Sequence, residues 1–205
     1  MNFTALLLAG GRSRRMGSDK ATILIKGQPL WRRQLDLLAG LSPNELLVSG
    51  NPGGPWKGAG CKVVADRLAE SGPLAGIASA LAVAEHEALL VLALDLPAMT
   101  ADFLKCLLEV AAERRSGVVS RDQHRFQPMA AVYTRSCLSL AQNCLAGTDR
   151  SMQNFVRTAA ARGLVSLTTL LEEDVPQFRN LNTPGDLKDC ERLAAGQPGS
   201  TGAIK

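Results

Sequence analysis

Residues 4–20 read TALLLAGGRSRRMGSDK, and this stretch decides the fold. Its first part, Thr4–Leu8, is an apolar run that ends just before Gly10-Gly11, which is typical of a buried strand running into a tight loop. Glycines in the loop let backbone N–H groups approach an anion with no Cβ in the way. Arg15 can add positive charge as a planar fork and Lys20 as a compact point charge. The stretch therefore predicts a strand followed by a phosphate-binding loop.

Two better-known phosphate loops do not fit this string. It lacks the Gly-Lys-[Ser/Thr] of a Walker loop and the Gly-x-Gly-x-x-Gly of a dinucleotide fold. The alternative is a Gly-rich connector whose basic residues are simply solvated. The complete string, directly after a first buried strand, favours nucleotide binding.

Apolar runs and helical patterns alternate along the rest of the chain. The predicted strands are Thr4–Leu8, Glu45–Ser49, Cys61–Val64, Ala88–Leu94, Gly117–Ser120, Pro128–Tyr133 and Leu164–Leu167. The predicted helices are Pro29–Leu38, Leu74–Glu85, Thr100–Arg114, Arg135–Leu145, Ser151–Ala161 and Pro184–Ala194. Alternation of this kind predicts an α/β fold, with a mostly parallel central sheet and helices on both faces.

Length and composition bound the function. The chain has 205 residues, of which 46% are hydrophobic and 4% aromatic, and its formal net charge is +4. We expect a single domain over residues 1–195, followed by a disordered tail over residues 196–205. No apolar run reaches the length of a membrane span and no signal peptide is apparent, so we expect a cytoplasmic protein. No basic stretch is interleaved with aromatics, so nucleic acid is not an expected partner.

Three further loops carry polar residues that an ordinary turn does not need. Asp95 follows the most apolar strand, where an unpaired carboxylate would cost stability but could bind Mg²⁺ through its oxygens. The alternative is a helix-cap or turn Asp before Pro97. Asp66 also follows a strand, but here the alternative, a surface ion pair with Arg67, is stronger than it is for Asp95. Asn180 and Asn182 lie two residues apart and so point the same way on an extended segment. Ligands in such sheets bind at the carboxyl ends of strands, where these loops meet.

Together these loops resemble the molybdenum cofactor guanylyltransferase family, one of the Rossmann-like nucleotidyltransferases, whose three-layer α/β/α fold the resemblance implies. The match spans Leu8 to about Leu187. It rests on Leu8-Ala9-Gly10-Gly11-x-Ser13-x-Arg15-Met16-Gly17-x-Asp19-Lys20, Gly72-Pro73-Leu74-Ala75-Gly76, Asp95-x-Pro97 and Asn182-Thr183-Pro184-x-Asp186-Leu187. The Gly10-Gly11 pair resembles the guanylyl branch, whereas cytidylyl relatives more often have Ala-Gly there.

The resemblance implies roles for individual residues. Those assigned to the nucleotide are Leu8, Ala9, Gly10, Gly11, Lys20, Asn51 and Asp66, with Asn51 reading the base. Asp95 is assigned to Mg²⁺, Arg15 and Lys20 to the departing pyrophosphate, and Asn180 and Asn182 to the pterin side. The segment Arg121–Pro128 matches the family's Gln-Pro turn but departs from it upstream, which leaves the pterin contacts open.

The resemblance also implies a reaction and partners. Molybdenum-molybdopterin would attack the α-phosphorus of GTP through its terminal phosphate, with hand-over from a molybdenum-insertion protein and onward to apo-molybdoenzymes or their chaperones. Two alternatives stay open. One is a cytidylyltransferase or other nucleotidyltransferase of the same fold with a different phosphate acceptor, and the other is a nucleotide-binding protein that has lost catalysis.

Overall fold

The structure is a computed structural model that describes residues 1–10, 20–65, 72–181 and 186. Its strands are β1 (Phe3–Leu8), β2 (Leu24–Ile25), β3 (Gln28–Pro29), β4 (Glu45–Ser49), β5 (Lys62–Val64), β6 (Ala88–Ala93), β7 (Gly117–Arg121), β8 (Phe126–Thr134) and β9 (Val165–Thr169). Its helices are α1 (Leu30–Ala39), α2 (Pro73–Val83), α3 (Ala101–Arg114), α4 (Leu138–Ala146) and α5 (Met152–Ala161). Short 3₁₀ turns occupy Lys20–Thr22, Arg135–Cys137 and Val175–Phe178.

Seven strands form one sheet in the order β5-β4-β1-β6-β8-β7-β9. Strand β8 pairs antiparallel with both β6 and β7, whereas the other four pairings are parallel. The six strands other than β8 therefore run in the same direction, which confirms the predicted mostly parallel sheet. Their carboxyl ends share one edge of the sheet, where ligands bind in folds of this kind.

Alternate residues along the central strands pack on opposite faces, as the period of a strand requires. In β1, Ala5 and Leu7 join the core under α1 and α3, whereas Leu6 and Leu8 join the core under α2, α4 and α5. Both cores are lined mainly by leucine, valine and alanine, in keeping with the low aromatic content. The two cores and the sheet between them confirm the three-layer α/β/α arrangement.

Most predicted boundaries fall within two residues of those observed, and the departures have local causes. The first helix begins at Leu30 rather than Pro29, because Pro29 pairs with Leu24 in the small β2–β3 hairpin, which was not predicted. Thr100 is the N-cap of α3, because its hydroxyl accepts a hydrogen bond from the Phe103 N–H. Helix α2 ends at Val83, two residues before the predicted end at Glu85.

Two predictions fall largely outside the described residues. Within the predicted helix Pro184–Ala194, only Asp186 is described, and it is helical. The predicted tail 196–205 is not described. In the part of the chain that is described, no helix is both long and apolar enough to cross a membrane.

Candidate active site at the carboxyl edge of the sheet

The ladder of hydrogen bonds continues one residue past the ends of three neighbouring strands, β1, β4 and β6. The N–H of Ala9 donates to Ser49 O at 2.9 Å, and the N–H of Leu94 donates to Leu8 O at 3.0 Å. The N–H of Gly50 donates to Val64 O at 3.3 Å. These bonds hold the first loop residues after β1, β4 and β6 side by side, and tie the loop after β4 to the end of β5. The loops singled out in the sequence therefore start from one shared edge.

The first loop leaves β1 at this edge. Leu8 is buried, Ala9 half-buried and Gly10 exposed, so the backbone emerges from the core over three residues. Gly11 and Arg15 lie outside the described residues. The chain is described again from Lys20, which begins the 3₁₀ turn that precedes the β2–β3 hairpin and α1.

Lys20 and Asp95 meet at the edge, as the grouping of the loops predicted. The Lys20 Nζ lies 3.9 Å from Asp95 Oδ2, with the side chains 16% and 31% exposed. Burial raises the pKa of the Asp95 carboxyl above its usual value, and the nearby Lys20 charge only partly opposes that rise. Burial of an ionised carboxylate costs stability unless close hydrogen bonds or an ion pair compensate for the lost hydration. Burial of the ionised Asp95 carboxylate therefore works against folding, and the contact with Lys20 offsets that cost only in part.

Two backbone contacts fix the loop that carries Asp95. The Nε2 of Gln34, on α1, donates to Leu96 O at 2.7 Å, and the N–H of Leu181 donates to Asp95 O at 2.9 Å. Gln34 is fully buried, and its Oε1 has no hydrogen-bond partner among the described residues. Sequence reasoning missed Gln34, although a signal was present: it lies four residues from both Leu30 and Leu38, on the buried face of α1. A buried amide at such a position needs a partner, and here that partner is the site loop.

Asn51 follows β4 by two residues and lies in a tight turn. Its Oδ1 accepts a 2.9 Å hydrogen bond from the Gly53 N–H, and its carbonyl oxygen accepts from both Gly54 N–H and the Trp56 indole N–H. The Asn51 side chain is exposed, whereas the Trp56 ring is 3% exposed. The turn thus exposes the Asn51 side chain and rests on the buried Trp56 ring.

Helix α2 packs tightly against the ends of β1 and β4. A Cβ at Gly76 would lie 2.6 Å from Ser49 Oγ and 2.9 Å from Leu8 Cδ2, so only glycine allows this approach. Gly72, just before the helix, has a φ of +71°, which also favours glycine. The Gly-Pro-Leu-Ala-Gly motif seen in the sequence therefore has a structural purpose: it brings the start of α2 to the edge.

The remaining predicted residues are only partly described. Asn180 is exposed and directly precedes the fully buried Leu181, whose N–H bonds to Asp95 O. Asn180 is thus next to the Asp95 loop along the chain. Asp66 and Asn182 lie outside the described residues, each one position beyond a described residue at this edge.

A hairpin rises from the same edge on the β8 side of the sheet. Its turn is held by Asp122, which accepts from the N–H groups of His124 and Arg125 at 2.7 and 2.8 Å. Gln153, near the start of α5, bonds both backbone groups of Phe126, accepting at 3.0 Å and donating at 2.9 Å. The exposed His124 and Arg125 are therefore held above the β8 side of the edge.

A divalent metal site at this edge would rest on few protein ligands. Among the described residues, no group of three or more His, Cys, Asp or Glu side chains converges. Mg²⁺ commonly binds one or two carboxylates together with water and substrate phosphates. The single partly exposed carboxylate of Asp95, with hard oxygen donors, fits that mode and does not fit an all-protein cage.

Comparison with known proteins agrees with this geometry. The family model described as the MobA-like NTP transferase domain matches residues 5–163. A probable molybdenum cofactor guanylyltransferase from Opitutus terrae is 34% identical over 189 residues, which cover 91% of this chain and 93% of that protein. The molybdenum cofactor guanylyltransferase of Pseudomonas putida strain GB-1 is 31% identical over 181 residues, covering 87% and 92%.

Solved structures share the fold. Molybdopterin-guanine dinucleotide biosynthesis protein A from Archaeoglobus fulgidus aligns with a TM-score of 0.74 at 21% identity, covering 94% of this chain and 98% of that one. The 2-C-methyl-D-erythritol 4-phosphate cytidylyltransferase of Thermus thermophilus aligns at 0.66 with 19% identity, covering 93% and 98%. Since guanylyl and cytidylyl enzymes share this fold, the fold alone does not choose the base.

Proposed function

The chain belongs to the MobA-like NTP transferase family, and from that premise we propose that it transfers GMP from GTP to the terminal phosphate of molybdenum-molybdopterin. Pyrophosphate leaves, and molybdopterin guanine dinucleotide forms. The observation that carries the proposal is the Lys20–Asp95 pair at the carboxyl edge of the sheet, 3.9 Å apart. One cation and one carboxylate at this place are what a nucleoside triphosphate with a metal ion requires.

The nucleotide occupies the β1–β4 side in this proposal. Leu8, Ala9 and Gly10 line the base and ribose pocket, and Asn51 reads the base from its turn. Lys20 contacts the phosphates, joined by the backbone of Gly11 and by Arg15, and Asp66 adds a further contact. Support comes from the ladder bonds that align the ends of β1, β4 and β5.

Asp95 is the residue that would hold Mg²⁺. When bound, the ion would supply charge neutralisation to the triphosphate. The chain's own contribution is to hold the carboxylate still, through Gln34 at Leu96 O and Leu181 at Asp95 O. Lys20 and Arg15 neutralise charge on the departing pyrophosphate.

The acceptor occupies the β6–β8 side. Asn180 and Asn182 face the pterin, and the hairpin between β7 and β8, with exposed His124 and Arg125, rises from the same edge and favours an anionic acceptor. A phosphate is already an anionic nucleophile, so the reaction needs no general base. Catalysis is positioning and charge neutralisation: the terminal phosphate oxygen attacks the α-phosphorus in line, and the bond to pyrophosphate breaks.

The reaction takes place in the cytoplasm, where a molybdenum-insertion protein supplies the labile cofactor and an apo-molybdoenzyme or its chaperone receives the product. Direct hand-over suits such a cofactor because release into water would expose it. Neither nucleic acid nor membrane takes part.

Nucleotide selectivity tests the proposal. Calorimetric titration of the purified protein with GTP, CTP, ATP and UTP in Mg²⁺ should give the tightest binding for GTP. Tightest binding of CTP would keep the fold and mechanism and move the protein to cytidylyl transfer. No binding of any triphosphate would remove the nucleotide site altogether.

A further inference from the structure

The turn that carries Asn51 is built on a buried tryptophan. Ideal Cβ positions at Gly50 and Gly54 would lie 2.6 Å and 2.5 Å from indole carbons of Trp56, far inside contact distance. The indole is therefore in direct contact with the backbone of both glycines. Its Nε1 donates to Asn51 O at 3.0 Å, and the ring belongs to the hydrophobic core. The Asn51 turn is thus held from below by one rigid side chain.

The same turn determines which way the Asn51 amide faces. Its Oδ1 accepts from the Gly53 N–H at 2.9 Å, and only an oxygen can accept there, so the amide orientation is set by chemistry. The Nδ2 group makes no hydrogen bond to any residue that the structure describes, and the Asn51 side chain is exposed. What the turn offers to a ligand is therefore a donor.

We propose that Trp56 is a specificity-determining residue, which holds the Asn51 turn so that the site presents a hydrogen-bond donor to a keto oxygen of the nucleobase. The inference rests on the proposed nucleotide site and adds the reason for its choice of base. Guanine offers O6 as an acceptor, whereas adenine and cytosine place amino donors at the matching position. When a donor of the protein faces an amino group of the base, both donors are left unpaired, and the affinity for that base falls.

The test compares bases that differ in one group. GTP and 2,6-diaminopurine riboside triphosphate differ at the 6-position, keto against amino, and ITP keeps the keto oxygen but lacks the 2-amino group. Binding of each is measured by calorimetry in Mg²⁺, and the readout is the ratio of the GTP affinity to the diaminopurine affinity. General damage to the loop lowers every affinity together, whereas loss of donor presentation changes this ratio.

Two variants test the support of the turn by Trp56, a third tests the Asn51 side chain, and a fourth is a control. Trp56→Phe removes the indole N–H, and Gly54→Ala forces the ring away. Gly53→Ala is the matched control in the same turn, since a Cβ there meets nothing closer than 3.5 Å. Asn51→Asp keeps an oxygen for the Gly53 N–H and turns the exposed donor into an acceptor.

We expect the wild-type protein to prefer GTP over the diaminopurine analogue by about tenfold or more, as one misplaced hydrogen bond predicts. Trp56→Phe and Gly54→Ala should reduce that ratio to near one and leave the GTP-to-ITP ratio unchanged. Gly53→Ala should retain the wild-type ratio, and Asn51→Asp should reverse it.

Each outcome bears on a different claim. An unchanged ratio in both Trp56→Phe and Gly54→Ala overturns the role of Trp56. If Asn51→Asp still prefers GTP, then the site does not present a donor to the base, and the role proposed for Trp56 fails with it. This variant therefore tests the proposal even if Trp56→Phe and Gly54→Ala fail to fold. Wild-type protein that binds no triphosphate contradicts the proposed function itself, before any variant is compared.

Discussion

The side-chain amide of Gln34 donates a 2.7 Å hydrogen bond to the carbonyl oxygen of Leu96, and so ties helix α1 to the loop that carries Asp95. Gln34 is fully buried, and the Leu181 N–H holds the neighbouring Asp95 carbonyl. The backbone that carries the carboxylate proposed to bind metal is therefore held at two neighbouring carbonyl oxygens. Its position depends on α1 as well as on its own strand.

Gln34→Met should loosen this loop without removing a ligand. The cost in unfolding free energy should be about 1 kcal/mol, because loss of the donor is partly offset by removal of the Oε1 atom, which has no partner among the described residues. Calorimetry should show Mg²⁺ affinity, in the presence of GTP, reduced by about tenfold, since small displacements of a ligand matter at such sites.

Thr4→Val is the control for that variant. The Thr4 hydroxyl is also buried, but it donates to Glu45 Oε2, in the half of the sheet opposite the site. It should lose stability and keep the Mg²⁺ affinity. Equal Mg²⁺ affinity in Gln34→Met and the wild type would remove Gln34 from the positioning of Asp95.

Asp95→Asn should abolish turnover and leave the fold intact. We expect a loss in kcat on the order of 10²-fold or more, because the metal would lose its protein carboxylate. The melting temperature should stay the same or rise, since burial works against the ionised carboxylate and raises the pKa of Asp95. A variant that turns over near the wild-type rate would falsify the metal assignment.

Lys20→Ala should weaken GTP binding and turnover together. The ammonium group lies at the edge beside Asp95, and loss of one charge-assisted phosphate contact predicts roughly a tenfold to hundredfold weaker affinity. Lys105→Ala is the control with the same change in net charge, because Lys105 lies exposed on α3 and pairs only loosely with Asp102, at 4.0 Å. GTP affinities that match in the two variants would exclude Lys20 from the site.

Glu45 governs acid stability at the opposite edge. Burial alone would raise the pKa of Glu45, but hydrogen bonds from the Glu85 N–H, Lys62 and Thr4 outweigh it and lower that pKa below 4.5. A carboxyl whose pKa is lower in the folded state adds stability above its unfolded pKa and loses it as the pH falls through the folded value. The wild type should therefore lose stability below about pH 4.5.

Glu45→Gln checks that assignment. At pH 7 it should lower the unfolding free energy by about 1–3 kcal/mol, measured by urea denaturation. The difference from the wild type should shrink as the pH falls below 4.5, because protonation removes the same interactions. A difference that does not depend on pH would show that packing, rather than charge, accounts for the loss.

The elements that could be predicted from the sequence are those with one dominant signal. Ala88–Leu94 is a continuous apolar run, and the structure places its first six residues in the centre of the sheet. The strands of the β2–β3 hairpin have two residues each, which is too short for any periodicity to show. Because Pro29 pairs with Leu24 in this hairpin, the helix begins at Leu30 and not at the predicted Pro29. Short pairings depend on tertiary packing and leave no pattern to find.

The site likewise contains some residues that could be predicted from the sequence and others that could not. Asp95 was predicted from its place after a buried strand, because strand order alone puts it at the carboxyl edge. Asn51 entered only through the family resemblance, since an asparagine in a Gly- and Pro-rich loop is ordinary by itself. The support by Trp56 could not be predicted, because close contact of an indole with two glycines is a matter of distances.

The most direct test of the account is a transfer assay on the purified protein. It uses Mg²⁺, molybdenum-molybdopterin and either GTP or CTP labelled at the α-phosphate, and it follows both pyrophosphate release and label in the pterin product. Label from GTP should enter a dinucleotide, with one pyrophosphate released per transfer, and Asp95→Asn should give no labelled product. Label from CTP in preference to GTP, or pyrophosphate release with no labelled pterin, would contradict it.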